Sequence, residues 1–62
     1  MRLMRIGEPG RERPVVRVDE QRYVDVSDVF EDFDETFFAT GGLARLRVLV
    51  QERIGDGQVH GF

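Results

Sequence analysis

Carboxylates are the most abundant side chains in this sequence of 62 residues that could bind a metal or transfer a proton. Many of them lie in one short stretch. These are Asp25, Asp28, Glu31, Asp32, Asp34 and Glu35. A calcium loop needs an acidic ligand at its twelfth position and a glycine at its sixth. Counted from Asp25, those positions hold Thr36 and Phe30, and the count from Asp28 fails as well. We therefore expect these carboxylates to be solvated and to cap helix starts rather than to bind a metal.

The other candidates for catalysis lack partners. When two carboxyl groups act as acid and base, the pKa of one of them must be raised, and this requires burial in a pocket. A domain this thin can hardly enclose such a pocket. The sole histidine, His60, lies in a glycine-containing tail, and we expect it to be mobile or exposed. Ser27 and Thr40 have no base nearby and are predicted to be caps. The sequence thus predicts no catalytic, cofactor-binding or metal-binding residue, and the chain alone is not expected to be an enzyme.

An aromatic cluster has a different character. Phe30, Phe33, Phe37 and Phe38 lie within a stretch of nine positions. Core packing of a short helix against a sheet is one interpretation. So small a chain, however, cannot easily bury every one of them. Those that face outward would form a docking patch, and the four phenylalanines are therefore the predicted interface residues.

The charge distribution argues against nucleic acid. Residues 1–22 carry six Arg against four acids, residues 23–44 carry six acids and no base, and residues 45–62 carry three Arg against two acids. An acidic middle repels phosphate, and no basic stripe is present to neutralise a nucleic-acid backbone. The longest apolar run, Val48 to Val50, is far too short to span a bilayer. With no secretion signal and no Cys, we expect a cytoplasmic protein without a membrane partner.

The first half of the chain predicts strands. Residues 1–6, 14–18 and 23–26 are rich in apolar or β-branched side chains and are separated by turn signals. In Glu8-Pro9-Gly10, Pro presets φ and Gly supplies freedom at the next position. We therefore predict a three-stranded antiparallel meander.

The second half predicts two short helices. Asp34 is the expected N-cap of the first, with Phe33 and Phe38 placed to form a hydrophobic staple. Gly41 and Gly42 separate the helices. The second helix carries an apolar stripe and is expected to stop at Gly55 as its C′ residue; the stripe comprises Leu43, Leu46, Leu49, Val50 and Ile54. The predicted fold class is α+β, a meander followed by two helices.

The order of these segments resembles the N-terminal domain of the fumarylacetoacetate hydrolase family. The matching segments are MRLMRIGEPGRERPVV, RYVDVSDVFEDFDETFF and GGLARLRVLVQER. The similarity is closest to bacterial members described as diketo-acid hydrolases or 2-hydroxyhepta-2,4-diene-1,7-dioate isomerases. It covers residues 1 to about 54 and depends on the order of the segments rather than on one motif. Relatives carry Gly in the second hairpin where this chain has Gln21.

The resemblance implies an accessory domain over residues 1–54 and a linker over 55–62 that leads toward a catalytic domain absent from this chain. In the family, that domain binds Mg²⁺ or a similar ion through acidic side chains, and a His–acid pair activates water to cleave a C–C bond in a β-dicarbonyl acid. The acids of residues 25–35 match none of those ligands. The implied partners are the catalytic domain and a second copy in a homo-oligomer. A free-standing interaction or self-association module is the alternative.

Overall fold

The computed structural model describes residues 2–62. Its elements are β1 (Arg2–Ile6), β2 (Arg13–Arg17), β3 (Arg22–Asp25), α1 (Glu35–Ala39), α2 (Gly42–Gly55) and β4 (His60–Gly61). The strands form one sheet in the order β1-β2-β3-β4, and every neighbouring pair is antiparallel. The predicted α+β fold, a three-stranded meander followed by two helices, is confirmed. A short fourth strand extends the sheet.

Both hairpin connections are built from the expected turn residues. Between β1 and β2, the Arg11 N–H donates to the Glu8 carbonyl at 2.8 Å, and Gly10 has a φ of 83°. That φ suits glycine at the position after Pro9. Between β2 and β3, Asp19 closes the turn, since its side chain accepts from the Gln21 N–H at 2.9 Å. A local carboxylate thus stabilises a hairpin turn that contains no glycine.

The core lies between one face of the sheet and the helices. Register places Leu3, Val16 and Val24 side by side across the first three strands. Alternate residues of a strand share a face, so these side chains point together toward α2. The buried cluster is completed from the loop and both helices; its members are Val16, Val24, Val26, Phe30, Phe33, Phe37, Leu46 and Val50. The apolar stripe of α2 buries Leu46 and Val50, whereas Ile54 at its end stays exposed.

Helix α1 begins as predicted. The Asp34 side chain accepts a hydrogen bond from the Phe37 N–H at 2.9 Å, which satisfies one donor of the first turn. The prediction that Phe33 forms a hydrophobic staple with Phe38 is wrong. Phe33 packs on Phe37, with ring centroids 5.2 Å apart, while Phe38 points away from the core. The reason is that the sheet lies on the Phe37 side of α1, and Phe33 is drawn to that same side.

Helix α2 ends later than predicted. The chain turns into the left-handed region at Gly57, with a φ of 74°, and Gly55 is the last helical residue. The Gly57 N–H donates to the Ile54 carbonyl at 3.1 Å, and the Gln58 N–H donates to the Arg53 carbonyl at 2.9 Å. This pair of bonds is a Schellman motif with Gly57 at C′. The prediction that Gly55 is the C′ residue is therefore wrong by two positions.

The final segment joins the sheet. We predicted residues 55–62 to be a linker, but His60 pairs with Tyr23 and Gly61 with Arg22. The Phe62 N–H continues the ladder with a bond of 3.0 Å to the Gln21 carbonyl. The Schellman turn supplies the physical reason, because it reverses the chain after α2 and returns it alongside the free edge of β3.

Candidate interaction surface

The four phenylalanines predicted to form an interface are divided by the structure. Phe30, Phe33 and Phe37 are core residues with exposed fractions of 8%, 8% and 5%. Their rings meet edge to face, since Phe37 lies 5.2 Å from both Phe30 and Phe33 at steep interplanar angles. Phe38 alone faces outward, with an exposed fraction of 53%. Of the predicted set, only Phe38 is available to a partner.

A larger candidate surface lies on the side of the sheet opposite α2. We call it the open face. The register places these side chains on it: Arg2, Met4, Ile6, Arg13, Val15, Arg17, Tyr23, Asp25 and His60. No helix of the described residues 2–62 packs on this side, because both helices and the loop before them pack on the core side. The open face is therefore a side of the sheet that the described residues leave without a second layer.

Aromatic side chains gather at one end of the open face. The Tyr23 ring lies 5.5 Å from the His60 ring and 4.9 Å from the Phe62 ring. The guanidinium of Arg17 stands 5.8 Å from the centroid of the Phe62 ring, within the range of a cation–π contact. Phe62 nevertheless remains 60% exposed. These contacts hold an apolar ring at the surface, where another protein can reach it.

The centre of the open face is packed. Val15 has an exposed fraction of 0%, although it lies on the side of the sheet that no helix covers. Its cross-strand neighbours, Met4 and Asp25, flank it. Asp25 also forms an ion pair with Arg13 at 3.2 Å. Neighbouring side chains thus seal the backbone and leave a surface of mixed apolar and charged groups.

Two carboxylates of the acidic cluster form ion pairs with arginines of the same domain. Asp28 accepts from Arg53 at 2.7 Å and Asp32 accepts from Arg5 at 2.6 Å. The hydrogen bond from Arg53 lowers the pKa of Asp28, and the one from Arg5 lowers the pKa of Asp32. These carboxylates are therefore ionised at neutral pH and engaged by arginines.

Ser27, His60 and Asp25 share a shallow depression of about 330 Å³ with Asp28 and Arg53. The Ser27 hydroxyl donates to Asp25 Oδ1 at 2.6 Å, and the Ser27 N–H donates to the same oxygen at 2.9 Å. Burial raises the pKa of Asp25, but these bonds and the charge of Arg13 outweigh burial, so the pKa lies below its ordinary value. An ionised carboxylate of low pKa is a weak base, and its hydrogen bond to Ser27 fixes a turn rather than activating a nucleophile.

Of the two residues predicted to be caps, Thr40 caps a helix and Ser27 does not. Ser27 caps no helix, since the residues after it form a turn in which the Val29 and Phe30 N–H groups both donate to the Val26 carbonyl. Thr40 is the C-cap of α1, and Gly41 is the N-cap of α2. His60 is exposed, as predicted, but it is held in β4 opposite Tyr23.

Across residues 2–62, no group of three or more His, Asp or Glu side chains lies close enough together to hold a metal ion. Over the same residues, no helix has both the length and the apolarity needed to cross a membrane. No protein-family model, curated protein or solved structure matches this chain.

Sequence reasoning missed the open face. Of its aromatic residues, Tyr23 is far in sequence from His60 and Phe62, and the three meet only because β4 pairs with β3. The alternation of Tyr23 and Val24 was visible and placed them on opposite faces. The missing signal was β4, whose two residues, His and Gly, carry no strand pattern.

Proposed function

We propose that this chain is a non-catalytic N-terminal accessory domain, similar to that of the fumarylacetoacetate hydrolase family, which packs against a metal-dependent catalytic domain in the same polypeptide. That catalytic domain would hydrolyse or isomerise diketo acids. The observation that carries the proposal is the uncovered side of the sheet, where Tyr23 and Phe62 offer apolar surface beside arginines. The order of the sequence segments supports the choice of family.

The chemistry of the described residues fits a supporting role. The carboxylates of the loop, such as Asp28 and Asp32, are engaged by arginines of the same chain. A divalent ion such as Mg²⁺ would therefore be bound by the catalytic domain, where it would polarise adjacent carbonyl oxygens of a diketo acid. The accessory domain would stabilise that domain, cover part of its active-site mouth or support a homodimer. We further propose a cytoplasmic location, which the absence of Cys from the sequence supports.

The first experiment is a measurement of intact mass. The protein is purified from cells that carry its gene by an antibody to α2, and its mass is compared with the 7.2 kDa of these 62 residues. We expect a longer polypeptide that hydrolyses an acylpyruvate in a chelator-sensitive manner. A product of 7.2 kDa, or a longer product that neither hydrolyses nor isomerises a diketo acid with any divalent metal ion, would contradict the proposal.

A free-standing self-association module is the second candidate, and exposed Phe38 favours it. Phe38 lies on the helical side of the domain, away from the open face, and is 53% exposed. Sedimentation velocity of the 62-residue chain distinguishes the two candidates. A dimer that forms with rising concentration and is lost in Phe38→Ser would favour self-association, whereas a persistent monomer would exclude it.

A further inference from the structure

The two sides of the sheet differ in what covers them. On the core side, side chains from α1, α2 and the loop between β3 and α1 bury Val16, Val24 and Val26. On the open face, the described chain supplies no second layer, and the side chains pack only against one another. An antiparallel sheet can leave one face in water, and such a face is normally polar. Here the half-buried Met4 and Ile6 of the edge strand β1 lie beside the fully buried Val15 of β2, and apolar side chains in such positions are typical of a face that another layer covers.

We propose that the open face docks onto a second folded domain whose contact surface is apolar at its centre and carries carboxylates at its rim. The inference rests on the proposed function, which supplies a catalytic domain in the same polypeptide as the occupant. It goes further by naming the side of this domain that makes the contact and the chemistry that the other surface must have.

The charges on the open face indicate which kind of surface can bind to it. The open face carries the guanidinium groups of Arg2, Arg13 and Arg17 and a single carboxylate, that of Asp25. The chain as a whole has a net charge of −3, so positive charge is concentrated on this face. Complementary potentials steer two surfaces together, and like charges placed opposite each other oppose contact. A second copy of the same face would meet arginine with arginine, whereas an acidic rim would meet each guanidinium with a carboxylate.

The dimensions of the domain suit such a contact. The Cα trace measures 28 × 28 × 18 Å, which describes a slab of a sheet and a helical layer. Its broad side is comparable with the roughly 800 Å² that each partner contributes to a standard protein interface. Phe62 and Tyr23 supply the aromatic anchors that are enriched at such interfaces.

Single-stranded nucleic acid also binds to aromatic rings and arginines. The contacts on the open face favour protein instead. Among residues 2–62, the only guanidinium groups of this face are those of Arg2, Arg13 and Arg17, and Asp25 lies among them. They form no continuous basic groove of the kind that follows a phosphate backbone. The apolar side chains of Met4 and Ile6 offer nothing to a phosphate backbone.

Hydroxyl-radical footprinting with mass spectrometry tests the inference. The oxidation rates of Met4, Tyr23 and Phe62 are measured in the 62-residue chain and in the longer polypeptide isolated from cells. Phe38 is the matched control, because its exposed fraction of 53% is close to the 60% of Phe62 and it lies on the other side of the domain. We expect a severalfold fall in oxidation at the open face of the longer polypeptide and no change at Phe38.

The outcomes separate the two proposals. A longer polypeptide in which Phe38 is protected and Phe62 is not would overturn the docking inference and leave the proposed function standing. A native product that stops at Phe62 would overturn both. Binding of an oligothymidylate by the isolated chain, or dimerisation of that chain with protection of Tyr23 and Phe62, would replace the proposed occupant and so would also overturn the inference.

Charge reversal tests the acidic rim. Arg2→Glu changes the open face, and Arg47→Glu makes the same change on α2, on the helical side of the sheet. In the longer polypeptide, we expect Arg2→Glu to restore part of the oxidation at Met4 and Tyr23 and Arg47→Glu to restore none. Equal effects of the two substitutions would mean that net charge, rather than a docked acidic surface, governs protection.

Discussion

Arg53 in the last turn of α2 donates a hydrogen bond to Asp28 Oδ2 at 2.7 Å and so joins the helix to the loop that follows β3. The same guanidinium donates to the Asp25 carbonyl at 3.3 Å. Only 20% of the Arg53 side chain is exposed, which shows that its stem lies along the protein surface. One side chain therefore links helix, loop and strand end.

Replacement of Arg53 should destabilise the domain more than replacement of its partner. Arg53→Met keeps an apolar stem but removes both hydrogen bonds, whereas Asp28→Asn leaves the bond to the Asp25 carbonyl in place. We expect a larger fall in Tm for Arg53→Met. The difference in Tm between wild type and Asp28→Asn should shrink as the salt concentration rises, because salt screens exposed ion pairs. Thermal denaturation followed by circular dichroism measures both effects, and equal Tm values for the two variants would contradict this interpretation.

Acid should unfold the domain through its paired carboxylates. Hydrogen bonds from arginines lower the pKa values of Asp19, Asp28 and Asp32 in the folded chain below the ordinary value of 3.8. A lowered folded-state pKa contributes stability that is present above the ordinary pKa and is lost as pH falls through the folded value. We expect urea denaturation to give a nearly constant free energy of unfolding from pH 7 to about pH 5 and a decline below it. In the double variant Asp28→Asn, Asp32→Asn, the decline should be shallower; an unchanged decline would mean that other groups control acid unfolding.

Gly42 should not tolerate even alanine. A Cβ at this position would lie 2.5 Å from Cδ2 of Phe37 and would also collide with the Phe37 carbonyl. We expect Gly42→Ala to lower the free energy of unfolding by about 1–3 kcal/mol, as overpacking does, despite the better helix propensity of Ala. Gly55→Ala is the matched control on the same helix, since nothing lies within 4 Å of its added Cβ. It should be neutral or raise the free energy of unfolding by up to about 1 kcal/mol; a similar loss in both variants would contradict the proposed collision.

The N-cap of α1 should contribute measurably to the free energy of unfolding. Asp34→Ala removes the acceptor for the Phe37 N–H, and we expect the free energy of unfolding to fall by about 1 kcal/mol. Asp34→Ser keeps an acceptor at the same place and should recover most of that loss. Chemical denaturation of the two variants provides the comparison. If Asp34→Ser is as unstable as Asp34→Ala, the carboxylate acts through its charge rather than as a cap.

The local signals of the sequence predicted the features that depend on neighbours in the chain. The β-branched run from Pro14 places β2, and Pro9 and Gly10 place the first turn, because each of these residues restricts or frees its own backbone. Asp34 identified the start of α1 for the same reason. Features that depend on distant partners were not visible. His60 and Gly61 form a strand only because Tyr23 offers an unpaired edge.

Two residues of one type can also compete for a single role. Gly55 and Gly57 both allow the left-handed conformation, and the bonds from Gly57 and Gln58 back to α2 decide which residue adopts it. For the candidate interface, composition predicted that some phenylalanine would remain outside, and Phe38 does so. The more extensive open face was hidden because Val15 and Val16 are both buried, on opposite sides of the sheet, and two adjacent valines do not reveal a second surface.

The Phe37 ring has neighbours on several sides. The centroids of Phe30 and Phe33 lie 5.2 Å away, and that of Phe38 lies 5.0 Å away. The backbone of Gly42 fits against another part of the ring. A ring held in this way can rotate by half a turn about its Cβ–Cγ bond only when the surrounding groups move aside, because protein interiors are close-packed. The rate at which the Phe37 ring flips should therefore report how often the loop, α1 and α2 move apart around it.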